Sequence, residues 1–273
     1  MFFSFIRYLC KRQTIFTTMI RQKKILLTCV VTILLLSSCT HHYQLASVER
    51  SRILIDSRYD ANPDEEAATL MTKYKGKVDS LMGPVLGKTA KYLAAYRPES
   101  ELSNLLTDIL VWASKEYNEQ ADFAVYNIGG MRAALAKGDV TIGDIYEIAP
   151  FENKICFITL KGADVTELFH QIATRGGEGV SHEVQLVIDK SHSLLSAKLN
   201  GKDIDSDASY RIATIDYVAQ GNDGMTAFKK GTDLKTPAEE KDNSRFIIMN
   251  YFRDQQSQGK VVDANKEGRI VVR

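Results

Sequence analysis

Three short segments concentrate side chains able to recognise a polar small molecule. Asn127-Ile128-Gly129-Gly130-Met131-Arg132 offers an amide that donates and accepts, two glycines that let backbone approach a ligand, and a guanidinium with a fixed fork of donors. Pro150-Phe151-Glu152-Asn153 places an aromatic ring and an amide two residues apart. Asp216-Tyr217, followed by Gly221-Asn222-Asp223-Gly224, supplies a second ring and a carboxylate flanked by turn residues. Taken singly, each segment is also what an ordinary turn contains, because Gly-Gly and Asn-Asp-Gly satisfy tight turns without any ligand.

Other chemistries find little to work with. There is no Gly-x-Ser-x-Gly elbow, no phosphate loop ending in Gly-Lys-Ser and no Cys-x-x-Cys. The five histidines (His41, His42, His170, His182 and His192) lack the paired spacing of a metal site, and His170 reads as a helix-surface or packing residue. Cys156, within Ile155-Cys156-Phe157-Ile158, reads as a buried small hydrophobe. In Arg175-Gly176-Gly177 the end of a helix accounts for the glycines, and anion binding is the rival. No catalytic residue and no metal ligand is assigned in this chain.

The elements that must hold the three segments follow from periodicity. Val48 to Ile55 reads as a strand, and Asn62-Pro63-Asp64-Glu65 reads as a helix start with Asn62 as N-cap. Ala67, Leu70, Met71, Tyr74, Val78 and Leu81 then recur at helical spacing until Gly83-Pro84. A strand is predicted over Val85 to Leu93, a helix from Ser100 through Tyr117, and a buried strand over Phe123 to Tyr126. A short capped helix over Thr141 to Ile148, a strand over Lys154 to Leu160 and a helix over Ala163 to Ala173 come next. Strands at Glu183 to Ile188, Leu195 to Leu199 and Tyr210 to Ile215, a helix over Glu239 to Phe252 and a strand over Arg269 to Val272 complete the chain. Each binding segment thus sits at the end of a predicted strand. This pattern predicts one α+β domain over residues 85–273 with a helical extension over 61–84.

The charge sum of 35 basic against 34 acidic residues conceals two regions. Residues 1–39 hold six basic side chains (Arg7, Lys11, Arg12, Arg21, Lys23, Lys24) and no acidic one, so residues 40–273 carry 29 basic and 34 acidic groups, a net charge of about −5. A basic stretch, a twelve-residue largely apolar run from Ile25 to Leu36, and Leu36-Ser37-Ser38-Cys39 have the layout of an export signal. Its ending resembles a bacterial lipobox, which makes Cys39 the expected lipidation site, residues 1–38 a signal peptide starting at Met19, and residues 39–60 a tether. The expected location is the bacterial cell envelope, with the membrane reached through the lipid anchor. The acidic remainder excludes nucleic-acid polymers as partners.

Taken in order, Asn-x-Gly-Gly-x-Arg, Pro-Phe-x-Asn and an aromatic followed by Gly-x-Asp-Gly resemble the C-terminal, substrate-binding domain of the 5'-nucleotidase family, which includes the periplasmic UDP-sugar hydrolases. Ser103-Asn104-Leu105-Leu106 and Thr141-Ile142-Gly143-Asp144-Ile145 add to the likeness, which runs over about residues 85–272. The resemblance implies a nucleotide or nucleoside ligand. Phe151 and Tyr217 would stack on the base, with Asn153 and Asn127 reading its edge. Asp223 would take ribose hydroxyls, Arg132 would hold the ribose and phosphate side, and Gly129 and Gly130 would let the loop approach. Tyr217 stands where the family more often has Phe, and Arg97 lies close to where members place an arginine before the first helix.

Family members hydrolyse phosphate with an N-terminal metallophosphatase domain that binds two metals through Asp-x-His, Gly-Asn-His and Gly-His-x-His motifs. None occurs here: Gly221-Asn222 is followed by Asp223. The 45 residues between Cys39 and residue 85 would be too few for such a domain. The expectation is therefore a nucleotide-binding subunit with no cofactor of its own, whose divalent metal ions sit on a separate metallophosphatase lipoprotein. The rival expectation is a stand-alone nucleoside-binding lipoprotein without catalysis.

Overall fold

The computed structural model describes residues 19, 21–27, 45–54 and 56–273. Cys10, Cys29, Cys39, His41, His42 and most of the apolar run before Cys39 lie outside the described residues. The chain divides into two units, Met1–Pro63 and Asp64–Arg273. In the first, residues 45–54 are exposed and irregular, so the strand expected over Val48 to Ile55 does not form there. A strand with no neighbour has nothing to satisfy its backbone polar groups. Among the described residues no helix is long and apolar enough to cross a membrane.

The second unit is a mixed α+β domain. It begins with helix α1 (Glu65–Met82), capped by Asp64, whose carboxylate accepts from the Ala67 amide at 2.9 Å. This corrects the expected Asn62 cap: Asp64 has the extended backbone a cap requires, and its charge suits the positive helix end. Strand β1 (Val85–Thr89), helix α2 (Glu101–Ala113), strand β2 (Phe123–Tyr126), strand β3 (Gly138–Thr141) and helix α3 (Ile142–Ile148) follow. Strand β4 (Ile155–Lys161) and helix α4 (Gly162–Thr174) lead into the short β5 (Gly179–Val180), then β6 (Val184–Ile188), β7 (Leu194–Leu199) and β8 (Lys202–Asp203). The chain ends with β9 (Ser209–Ile215), α5 (Asp216–Ala219), β10 (Thr232–Lys235), α6 (Ser244–Ser257) and β11 (Ile270–Val272). The helix expected from Glu239 starts only at Ser244. A single 3-10 turn at Glu240–Asp242 precedes it, and the side chain of Asn243 caps it.

Three sheets form, in the orders β1-β3, β10-β4-β9-β2-β5 and β11-β6-β7-β8. In the central sheet β2 and β9 are parallel, and β4 and β5 are antiparallel to their neighbours. Every residue of β2 is buried, as are Ile155, Cys156, Phe157 and Ile158 of β4. A strand buried on both faces reads as a continuous apolar run, not as an alternation. Around it Phe123 meets Phe169 of α4 with ring centroids 5.5 Å apart, and α2 contributes Leu102, Leu105, Leu106, Ile109 and Leu110 to the same core.

Candidate functional site

The strand directions bring the three segments together. Parallel β2 and β9 end on the same side, and antiparallel β4 begins there, with Ile155 opposite Ile215. Asn127 leaves the end of β2, Asp216-Tyr217 leaves the end of β9, and Phe151-Glu152-Asn153 enters β4. Hydrogen bonds fix the approach of the chain at this edge. The Asp216 amide donates to the Lys154 carbonyl at 2.9 Å, and the Ser244 amide to the Asn153 carbonyl at 2.8 Å. Arg245, buried and 4.5 Å from the centroid of the Tyr146 ring, donates to the Pro150 carbonyl at 2.9 Å and so pins the turn that carries Phe151.

A cavity of about 230 Å³ opens between these loops, lined by Asn127, Gly129, Gly130, Phe151, Asn153, Tyr217 and Asp223. Seven of the eight expected binding residues therefore share one wall. Phe151 is 48% and Tyr217 39% exposed, so both rings keep surface for a ligand. Asp223 holds a left-handed backbone (φ 54°), which Asp tolerates better than most residues, and its Oδ2 accepts from Asn127 Nδ2 at 2.6 Å. Asn127 is buried, and its Oδ1 has no hydrogen-bond partner. Gly130 is required by crowding: a Cβ there would stand 2.8 Å from that same Oδ1.

Arg132 is placed differently. Its backbone amide donates inward to the Ile148 carbonyl at 3.1 Å, while the exposed guanidinium meets only the Gly129 carbonyl, at 3.4 Å, and does not line the cavity. A different cationic group occupies the neighbouring ground. Because β5 runs antiparallel to β2, with Gly179 opposite Tyr126, the buried Glu178 lies beside the Asn127 loop. Its carboxylate accepts from the Ile128 amide at 2.6 Å and from Arg175 Nε at 2.5 Å, and pairs with Arg97. Arg175 also reaches Asp223, at 3.7 Å. Gly177 lets this loop pass Pro98, since a Cβ would lie 2.3 Å from the Pro98 carbonyl oxygen at a φ of +112°. The sequence reading missed Glu178 and the role of Arg175; the available signal was a lone acid between Gly177 and an apolar strand.

Cys156 is fully buried, and burial pushes its thiol up to about 12, which leaves no thiolate at neutral pH. His170, His182 and His192 are exposed and scattered. Among the described residues no group of three His, Cys, Asp or Glu is arranged to hold a metal. A larger hollow of about 460 Å³ near Glu116, Tyr117, Lys235 and Asp242 combines charged groups with one ring, and its Tyr117 hydroxyl is already engaged by Asp242 at 3.1 Å. The smaller cavity is the better candidate because it sets two half-exposed rings beside amide and carboxylate groups.

Residues 84–230, more than half of the chain, match the family model described as 5'-nucleotidase, C-terminal domain, and the chain belongs to that family. The cell wall protein Lmo0130 of Listeria monocytogenes is 31% identical over 188 residues, 63% of this chain and 24% of that protein. The trifunctional nucleotide phosphoesterase protein YfkN of Bacillus subtilis is 27% identical over 236 residues, 79% of this chain and 16% of that protein. The crystal structure of a 5'-nucleotidase precursor from Thermus thermophilus matches with a TM-score of 0.66 and 27% identity, covering 78% of this chain and 44% of that one. The chain thus spans less than half the length of each relative. Residues 84–273 make up 190 of 273 residues, about 70%, so the match to the Thermus protein reaches back before Pro84, into the segment that holds α1.

Proposed function

We propose that this chain binds a nucleoside or nucleotide between Phe151 and Tyr217 and serves as the substrate-binding half of a 5'-nucleotidase-type phosphohydrolase in nucleotide breakdown. The observation that carries the reading is the convergence of two half-exposed rings, Asn127, Asn153 and Asp223 on one cavity at one end of the central sheet. Stacking on an aromatic ring stabilises a base by roughly 1 to 3 kcal/mol and tolerates several bases, because each has a π-face. The carboxylate of Asp223, held by Asn127 Nδ2 at 2.6 Å, accepts from ribose hydroxyls.

Size limits what the cavity does. At about 230 Å³ it lies below the ~300 to 1,000 Å³ of sites that enclose a drug-sized ligand. It receives a base and part of its sugar and leaves the phosphates outside. The residues described here do not fit a two-metal centre, so no step of phosphate cleavage is assigned to them. In this reading the metals, which would clamp the attacking and leaving oxygens, belong to a separate metallophosphatase chain. A lipid anchor at Cys39 and a second one on the partner chain would hold both at the cell envelope, where the shared membrane raises their effective concentration.

Titration calorimetry with adenosine, AMP and UDP-glucose tests the binding. The expected Kd is on the order of micromolar to millimolar, and Phe151→Ala weakens it by about 5- to 150-fold, the equivalent of one stack. No heat with any of the three ligands would remove the proposal.

A further inference from the structure

The Arg175-Gly176-Gly177-Glu178 turn ties a charge to its opposite three residues on. Arg175 closes helix α4, and Gly176 (φ +77°) and Gly177 (φ +112°) then take the chain through left-handed backbone, which folds Glu178 back onto Arg175. The Glu178 side chain is fully buried, and a carboxylate taken out of water needs partners for its charge and its lone pairs. Its Oε1 accepts from Arg175 Nε at 2.5 Å and from Arg97, and its Oε2 accepts from the Ile128 amide at 2.6 Å. The anion met by the Arg175 segment is therefore the chain's own.

Asp223 is the competing acceptor. Its Oδ2 is held by Asn127 Nδ2, and its Oδ1 lies 3.7 Å from Arg175 Nη2. That separation makes an ion pair but is too long for a hydrogen bond, which spans about 2.7 to 3.2 Å. A guanidinium with no stronger partner would close the remaining gap of about 1 Å and form a short, charge-assisted hydrogen bond to the carboxylate. Oδ1 would then have less to offer a sugar hydroxyl.

We infer that Glu178 is a positioning residue for the sugar end of the cavity: by holding the Arg175 guanidinium off Asp223, it keeps Oδ1 open to a ribose hydroxyl. The inference rests on the functional reading above. Glu178 does not line the cavity, so it acts on a ligand through Arg175 and through the 127–130 loop, whose Ile128 amide it anchors. The two routes are separable. Glu178→Gln keeps an oxygen for the Ile128 amide and replaces the other with an NH2 group, which only donates and so releases both guanidiniums.

Titration calorimetry of the full chain with adenosine and with 2',3'-dideoxyadenosine tests the inference. Wild type prefers adenosine, because only that ligand has hydroxyls for Asp223. Glu178→Gln weakens adenosine binding about tenfold and leaves the dideoxy compound within about twofold, so the preference is largely lost. Adding Arg175→Ala to Glu178→Gln restores it, since the released guanidinium is gone and no buried carboxylate is left unpaired; Arg97 keeps its bond to the Gly177 carbonyl at 2.8 Å. A purely structural role predicts the opposite: equal losses for both ligands, and a further loss in the double variant. Equal affinity of wild type for the two ligands, an unchanged preference in Glu178→Gln, or no recovery in the double variant overturns the inference. If Glu178→Gln shows no cooperative urea transition, the crystal structure of wild type with adenosine decides. Arg175 Nε is expected on Glu178 there, and a direct hydrogen bond from Arg175 to Asp223 overturns the inference. Wild type that binds neither ligand removes the nucleotide reading itself, whereas wild type that binds adenosine without the expected responses removes only the role of Glu178.

Discussion

Helices α1 and α2 have the same kind of sequence and opposite environments. In α2, Leu102, Leu105, Leu106, Ile109, Leu110 and Ala113 recur at helical spacing, and all six are buried. In α1 the equivalent apolar positions recur just as regularly and are all exposed. The difference lies in what each helix faces. The α2 helix lies against β2 and β5 and joins the central core, whereas α1 meets its domain chiefly near its end, where Met82 approaches Gly143 of α3. Periodicity therefore establishes that a helix has an apolar face. It does not establish that the same domain covers it.

Truncation is the most direct way to break this comparison. Leu106→Ala in α2 should lower unfolding free energy by about 2 to 5 kcal/mol, since it leaves a cavity in a closed core. Leu70→Ala in α1 should change it by less than about 0.5 kcal/mol, as expected for an exposed position. Urea titrations of both variants would decide the matter, and equal losses would mean that α1 is covered by its own chain. Ligand provides a second contrast. A nucleoside at 100 times its Kd should add about 2.7 kcal/mol to the stability of the folded domain. Hydrogen exchange should then slow in α2 and β2, whose opening is global, and remain unchanged in α1, whose opening is local. Equal slowing in both helices would tie α1 to the ligand site.

The same contrast explains how much could be read from the residues alone. Strand β2 was legible to its boundaries, because a short apolar run between polar turns has few alternatives, and α3 was legible as a short capped helix, whose cap the structure shows to be a reciprocal pair of Thr141 and Asp144. The cavity was legible through seven of its residues, because the motifs that line it stand at strand ends that can be located by periodicity. Arg132 was not placed, since the side on which a loop side chain emerges depends on a backbone bond to Ile148 that no local pattern reveals. Glu178 was hidden for a related reason: its importance comes from the pairing of β5 with β2, two segments more than 50 residues apart. The small strands β3, β5, β8 and β10 were missed because two to four residues are too short for an alternation to register.

The smallest effects sharpen the comparison further, because caps act on a helix whether or not its face is covered. Ser100 caps α2 in a reciprocal pair with Ser103: its hydroxyl accepts from the Ser103 amide at 3.3 Å, and the Ser103 hydroxyl accepts from the Ser100 amide at 3.2 Å. Both side chains are buried, so Ser100→Ala should cost about 1 to 2 kcal/mol of global stability, in the upper part of the range for caps. Asp64→Ala removes a comparable but exposed bond to Ala67. An 18-residue helix without tertiary support is marginal in water, so this loss should fray α1 and reduce helical circular dichroism at 222 nm. The urea midpoint of the domain should stay within the error of the wild type. If Asp64→Ala instead shifted that midpoint as far as Ser100→Ala, α1 would have to unfold together with α2, and its exposed face would not be free for a partner.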